Sequence, residues 1–63
     1  QNCILGQGVE VGKNCNLLNC VIFPKTIIGN NVTIGAGSTV TRDIPDNSVA
    51  VGSPARVIKK LGK

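Results

Sequence analysis

Seven times along this chain a small residue and an aliphatic one stand two places apart, and the pairs recur about every six positions. They are Cys3/Leu5, Val9/Val11, Cys15/Leu17, Val21/Phe23, Thr26/Ile28, Val32/Ile34 and Ser38/Val40. Side chains two apart on a strand share a face, so each pair reads as a short strand with both members turned inward. Strands repeated at this period, with no helix or hairpin signal between them, describe a chain wound around a prism. The expected fold is all-β, a parallel β-helix.

The turns carry a second period in phase with the first. Three places after the aliphatic member come Gly8, Asn14, Cys20, Asn31, Gly37 and Asp43, mostly types that tolerate positive φ at a corner. The position directly after it is Gly6, Gly12, Gly29 or Gly35 in four of the units. One unit is a residue short, and the sequence places the deletion in the turn Phe23-Pro24-Lys25, where proline suits a corner. Three strands per coil then stack Leu5, Phe23 and Val40 in one column, with Cys3, Val21 and Ser38 beside them. Val11 falls under Ile28, and Leu17 under Ile34. Ile4 and Ile22 point outward one coil apart, with Ile27 outward on the next face, a row that reads as a covered surface.

Sixty-three residues allow one domain, and the periodic part makes little more than two coils. A solenoid this short needs neighbours or caps to bury its ends. The chain also begins at Gln1 already in register, so it reads as the C-terminal coils of something longer or as a protomer that needs partners. Residues 1–45 are assigned to coils and 46–63 to a C-terminal strand and capping helix. No apolar run is long enough to span a membrane and no signal-peptide pattern is present.

Cys3 and Cys15 take inward slots on different faces, where a thiol acts as a small hydrophobe, and Cys20 takes a turn slot. Without CxxC or histidine, zinc is not expected. Reduced cysteines point to a cytoplasmic setting. The net charge of +4 is concentrated in Arg56, Lys59, Lys60 and Lys63. The single aromatic, Phe23, provides no base-stacking platform, so a phosphate-bearing small molecule is a better partner than nucleic acid.

After Val40 the pattern gives way to a polar stretch, Thr41 to Asn47, and then to one more strand, Ser48 to Gly52. Ser53-Pro54 reads as an N-cap and first turn of a helix. That helix would carry Val57, Ile58 and Leu61 on one face, with Gly62 as its terminator.

Residues 34–61, IGAGSTVTRDIPDNSVAVGSPARVIKKL, resemble the C-terminal signature of hexapeptide-repeat acyltransferases, among them the sugar and antibiotic O- and N-acetyltransferases. The specific elements are GAGS, then T-R-D-I-P, then G-S-P-A-R-V-I, and the upstream hexads agree with them. The resemblance implies a left-handed coil, a homotrimer and acetyl-CoA as co-substrate, with a sugar or similar hydroxyl or amine as acceptor and no metal. It implies that Ala36 offers backbone groups to the pantetheine arm and that Thr41 lies near the nucleotide end. Pro54 would lie near the adenine, and Arg56 and Lys59 would meet the 3′-phosphate.

The family's general base is a histidine, and this chain has none. Glu10 reads as a solvated surface carboxylate, and nothing near Cys20 would generate a thiolate. No residue here is assigned a catalytic role, and these residues alone are expected to catalyse nothing. Two other readings remain open: a non-catalytic β-helix that oligomerises a larger protein such as a sugar nucleotidyltransferase, and a shortened chain that keeps only the fold.

Overall fold

Nine strands carry the chain around three flat faces in a computed structural model that describes residues 3–61. In chain order they are β1 (Ile4–Leu5), β2 (Glu10–Val11), β3 (Asn16–Leu17), β4 (Val21–Ile22), β5 (Ile27–Ile28), β6 (Thr33–Ile34), β7 (Thr39–Val40), β8 (Ser48–Val51) and β9 (Arg56–Lys60). The first face stacks β1-β4-β7, the second β2-β5 and the third β3-β6-β8-β9. All pairings are parallel except β8 with β9. Each coil donates its amides to the carbonyls of the next: Ile4 N–H to Cys20 at 2.9 Å, Glu10 N–H to Thr26 at 3.0 Å, Asn16 N–H to Val32 at 2.9 Å.

The inward register differs from expectation in the second coil. Ile4 pairs with Val21 and Leu5 with Ile22, so the inward pair is Cys20/Ile22 and not Val21/Phe23. Cys20 and Ile22 are each 1% exposed, against 37% for Val21 and 46% for Phe23. The columns are therefore Leu5–Ile22–Val40 and Cys3–Cys20–Ser38, and Cys20 is a core residue, not a turn residue. Ile22 accordingly leaves the outward row, and Val21 takes its place beside Ile4. Val11 under Ile28 and Leu17 under Ile34 stand as expected.

The missing residue lies between Leu17 and Cys20, not after Phe23. Both placements give a small and an aliphatic residue two apart, so the period alone is blind to the choice; a one-residue slip merely exchanges the faces. Backbone geometry decides it. Asn19 takes the left-handed region (φ 48°) in the short turn, and Lys25 (φ 63°) takes the regular corner slot three places after Ile22. Gly8, Asn14, Asn31 and Gly37 fill that slot as expected. Asp43 does not; the corner residue there is Asn47, three places after Ile44.

Cys20, Ile22, Ile28, Val32, Ile34, Val40, Ile44 and Ala50 make the core, each buried. Burying an aliphatic side chain of this size contributes about 1.5–3 kcal/mol. The corners stack as closely as the core: a Cβ on Gly12 would fall 2.7 Å from the Gly29 carbonyl carbon. Side-chain oxygens continue the ladder there, Lys13 N–H donating to Asn30 Oδ1 and Asn30 N–H to Asp46 Oδ1, both at 2.8 Å.

The C-terminal helix is absent from the described residues. At Gly52 (φ 101°) the chain reverses, passes a cis Ser53–Pro54 bond and returns as β9 against β8. Pairing satisfies backbone groups that β8 would otherwise leave open at the edge, and the β-branched Val57 and Ile58 suit a strand. Ile58 is the extra residue of a bulge, since Val49 faces Lys59 and Ala50 faces Val57. Three apolar residues in five positions fit either period, so the sequence could not exclude a helix. Gly62, the expected terminator, and Lys63 lie outside the described residues.

Candidate functional site: an arginine-flanked cleft at the end of the coil stack

The third coil is cut short on its second face. From Ile22 to Ile28 the chain takes six steps, but from Val40 to Ile44 only four. No full strand forms there; Ile44 makes a single parallel bridge to Ile28. The Asp43 carboxylate takes over as acceptor for Ile27 N–H at 2.8 Å, and Ile44 N–H donates to the Ile27 carbonyl at 3.0 Å.

Across from this shortened link runs the strap between β8 and β9. It is pinned to β7 by Thr39 N–H to Gly52 O at 3.0 Å, Ala55 N–H to Thr39 O at 2.7 Å and Gly52 N–H to Ser38 Oγ at 3.1 Å. Between link and strap opens a cleft of about 420 Å³, walled by Thr41, Arg42, Asp43 and Ile44 on one side and Pro54, Ala55, Arg56 and Val57 on the other. Both arginines are exposed. The one acid in the wall, Asp43, has Oδ1 engaged by the backbone. The result is a cationic groove with apolar side chains from Ile44, Pro54, Ala55 and Val57 in its wall, suited to a ligand that carries phosphate at one end and a flat or aliphatic body elsewhere.

Three of the five residues singled out from the sequence, Thr41, Pro54 and Arg56, line this cleft. Ala36 and Lys59 do not. Ala36 sits at the exposed corner between β6 and β7, and its amide and carbonyl have no backbone partner among the described residues. Beside it Gly37 (φ 75°) would meet nothing within 4 Å if it carried a Cβ, so main chain is openly presented at this corner. Lys59 is exposed on β9 opposite Val49, away from the cleft. Sequence reasoning missed Arg42. Its signal was available, a cation directly after Thr41, but only the shortened link brings it into one cleft with Arg56. Glu10 is exposed on β2, as expected.

No protein-family model matches the chain. Its sequence is 47% identical over 57 residues to the galactoside O-acetyltransferase of Escherichia coli K12, covering 90% of this chain and 26% of that protein. Its fold is similar to a maltose O-acetyltransferase from Clostridium difficile 630, with a TM-score of 0.84 and 54% identity over 87% of this chain and 30% of that one. It is also similar to PerB from Caulobacter crescentus, solved in complex with CoA and GDP-perosamine, with a TM-score of 0.87 and 36% identity over 90% of this chain and 28% of that one. The chain thus spans about a quarter of the length of the curated relatives it matches. The likeness carries the left-handed coil expected from the C-terminal motif, since the same rungs wound the other way would not superpose.

Proposed function

From the premise that this chain belongs to the hexapeptide-repeat acyltransferase family, we propose that it supplies acyl-CoA-binding coils of an acetyltransferase acting on a sugar hydroxyl or amine. The observation that carries the reading is the arginine-flanked cleft, in a fold similar to one solved with CoA and a nucleotide sugar. Arg42 and Arg56 hold the phosphates, because guanidinium forks form charge-assisted, paired hydrogen bonds to phosphate oxygens. Pro54 packs against the adenine and Thr41 donates its hydroxyl near the nucleotide. The unpartnered amide and carbonyl of Ala36 bond the pantetheine arm, and Lys59 adds a more distant positive charge toward the 3′-phosphate.

The chain holds the donor and does not deprotonate the acceptor. With no histidine among its 63 residues, the general base comes from outside them. The acceptor's nucleophile then attacks the thioester carbonyl, and CoA leaves as the thiol.

The protein works as a homotrimer. Support comes from outward apolar side chains on two faces: Ile4 is 67% exposed, Phe23 46%, Ile27 48% and Val21 37%. Exposed apolar side chains grouped along the coil in this way support an interface. A cytoplasmic setting belongs to the same proposal, supported by three cysteines in the reduced state and by the use of acyl-CoA. Calorimetric titration with CoA tests the reading: saturable binding that weakens in Arg56→Ala supports it, and an absence of binding by the assembled protein overturns it.

A further inference from the structure

Two of the three thiols meet. Cys3 and Cys20 occupy the same inward slot on successive rungs of the first face, and their sulfurs are 3.2 Å apart. The rung spacing of about 4.8 Å lies inside the Cα separation of roughly 4.4–6.8 Å that a disulfide accepts. Cys20 is 1% exposed, while Cys3 lies at the outer rung of the described stack and is half-buried. Cys15 is on another face, with its thiol donating to the Gly29 carbonyl at 3.1 Å.

We propose that Cys3 and Cys20 form a redox-active dithiol, which a peroxide oxidises to a disulfide clamping the first coil onto the second. The two sulfurs differ in role. Burial pushes the Cys20 thiol up to about 11, with the Cys3 sulfur adding to the shift. Burial works against ionisation of Cys3 as well, but hydrogen bonds from the Cys20 backbone and thiol, together with the positive charge of the amino terminus, hold Cys3 below its ordinary value. Of the two sulfurs Cys3 is the more acidic and, among the described residues, the less buried, so it attacks first.

Its thiolate sulfur bonds to one peroxide oxygen and the O–O bond breaks; hydroxide leaves and is protonated to water. The Cys20 sulfur then attacks the sulfenic sulfur of Cys3, the S–O bond breaks, and the departing hydroxide takes the Cys20 proton as a second water. Two thiols lose two electrons, and hydrogen peroxide is reduced to two waters. Thiol reductants reverse the bond by exchange.

The test is mass spectrometry of the reduced protein after treatment with a few equivalents of hydrogen peroxide. Wild-type and Cys15→Ser proteins are expected to lose about 2 Da, two hydrogens, and to recover them with dithiothreitol. Cys20→Ser is expected to gain oxygen at Cys3 instead. Serine already occupies the next rung of the same column at Ser38, so this variant keeps the fold, and circular dichroism verifies it. Loss of the crosslink in Cys15→Ser, its persistence in Cys20→Ser, a crosslink only between chains, or oxygen uptake with no loss of hydrogen in the wild type would each overturn the proposal.

Discussion

The Asp43 carboxylate accepts the Ile27 amide at 2.8 Å, where one coil earlier the Thr26 main-chain carbonyl accepts the equivalent amide of Glu10 at 3.0 Å. A side chain has replaced a rung of backbone. The substitution lets the third coil run two residues short without leaving β5 an open donor, and the space so vacated is the cleft.

Asp43→Ala removes that acceptor. Loss of a hydrogen bond to a charged group is expected to cost about 1.5–3 kcal/mol and to loosen the wall that carries Thr41 and Arg42. Asp43→Asn keeps an oxygen in place and should recover most of the loss. Urea denaturation followed at the far-ultraviolet band measures both; equal stability of Ala and Asn variants contradicts the role.

The register of the second coil has an equally direct readout. Ile22→Ala leaves a cavity in a filled column and is expected to cost about 2–5 kcal/mol. Phe23→Ala removes a half-exposed ring and should cost well under about 2 kcal/mol on the monomer's stability. The reverse order would restore the alternative frame, with Phe23 inside.

How much was legible in the sequence follows from these residues. The six-residue period fixed the faces wherever only one small and aliphatic pair fitted, as at Thr26/Ile28 and Val32/Ile34. It failed at Cys20–Phe23, where two frames satisfy the same pattern and the left-handed backbone at Asn19 and Lys25 makes the difference. The helix reading of residues 54–61 failed because backbone pairing to β8, a long-range term, outweighs a local capping pattern. Thr41, Pro54 and Arg56, singled out through their motif, line the cleft. Arg42 became visible only once the shortened link was known, since its place in one cleft with Arg56 depends on a deletion the period did not locate.

The proposed phosphate site assigns unequal weights to the cations. Arg42→Ala and Arg56→Ala are each expected to weaken CoA binding roughly ten- to a hundredfold, as for loss of a charge-assisted pair. Lys59→Ala, exposed and off the cleft, should change it by less than about fivefold. Competition binding with a fluorescent CoA analogue measures all three, and a Lys59 effect as large as that of Arg56 would move the phosphate site onto β9.

The proposed trimer can be tested separately from the fold. Ile4→Lys and Ile27→Lys place charge on outward positions that are 67% and 48% exposed, so each should keep the coil and shift sedimentation from trimer to monomer. Unchanged sedimentation of the double variant would remove those faces from the interface.

Diffraction from crystals grown with CoA addresses the cleft itself. The phosphates should lie between Arg42 and Arg56, with the adenine against Pro54 and the pantetheine arm running toward the Ala36 corner. Well-defined CoA bound elsewhere on the coil, with Thr41–Ile44 and Pro54–Val57 untouched, would contradict the account.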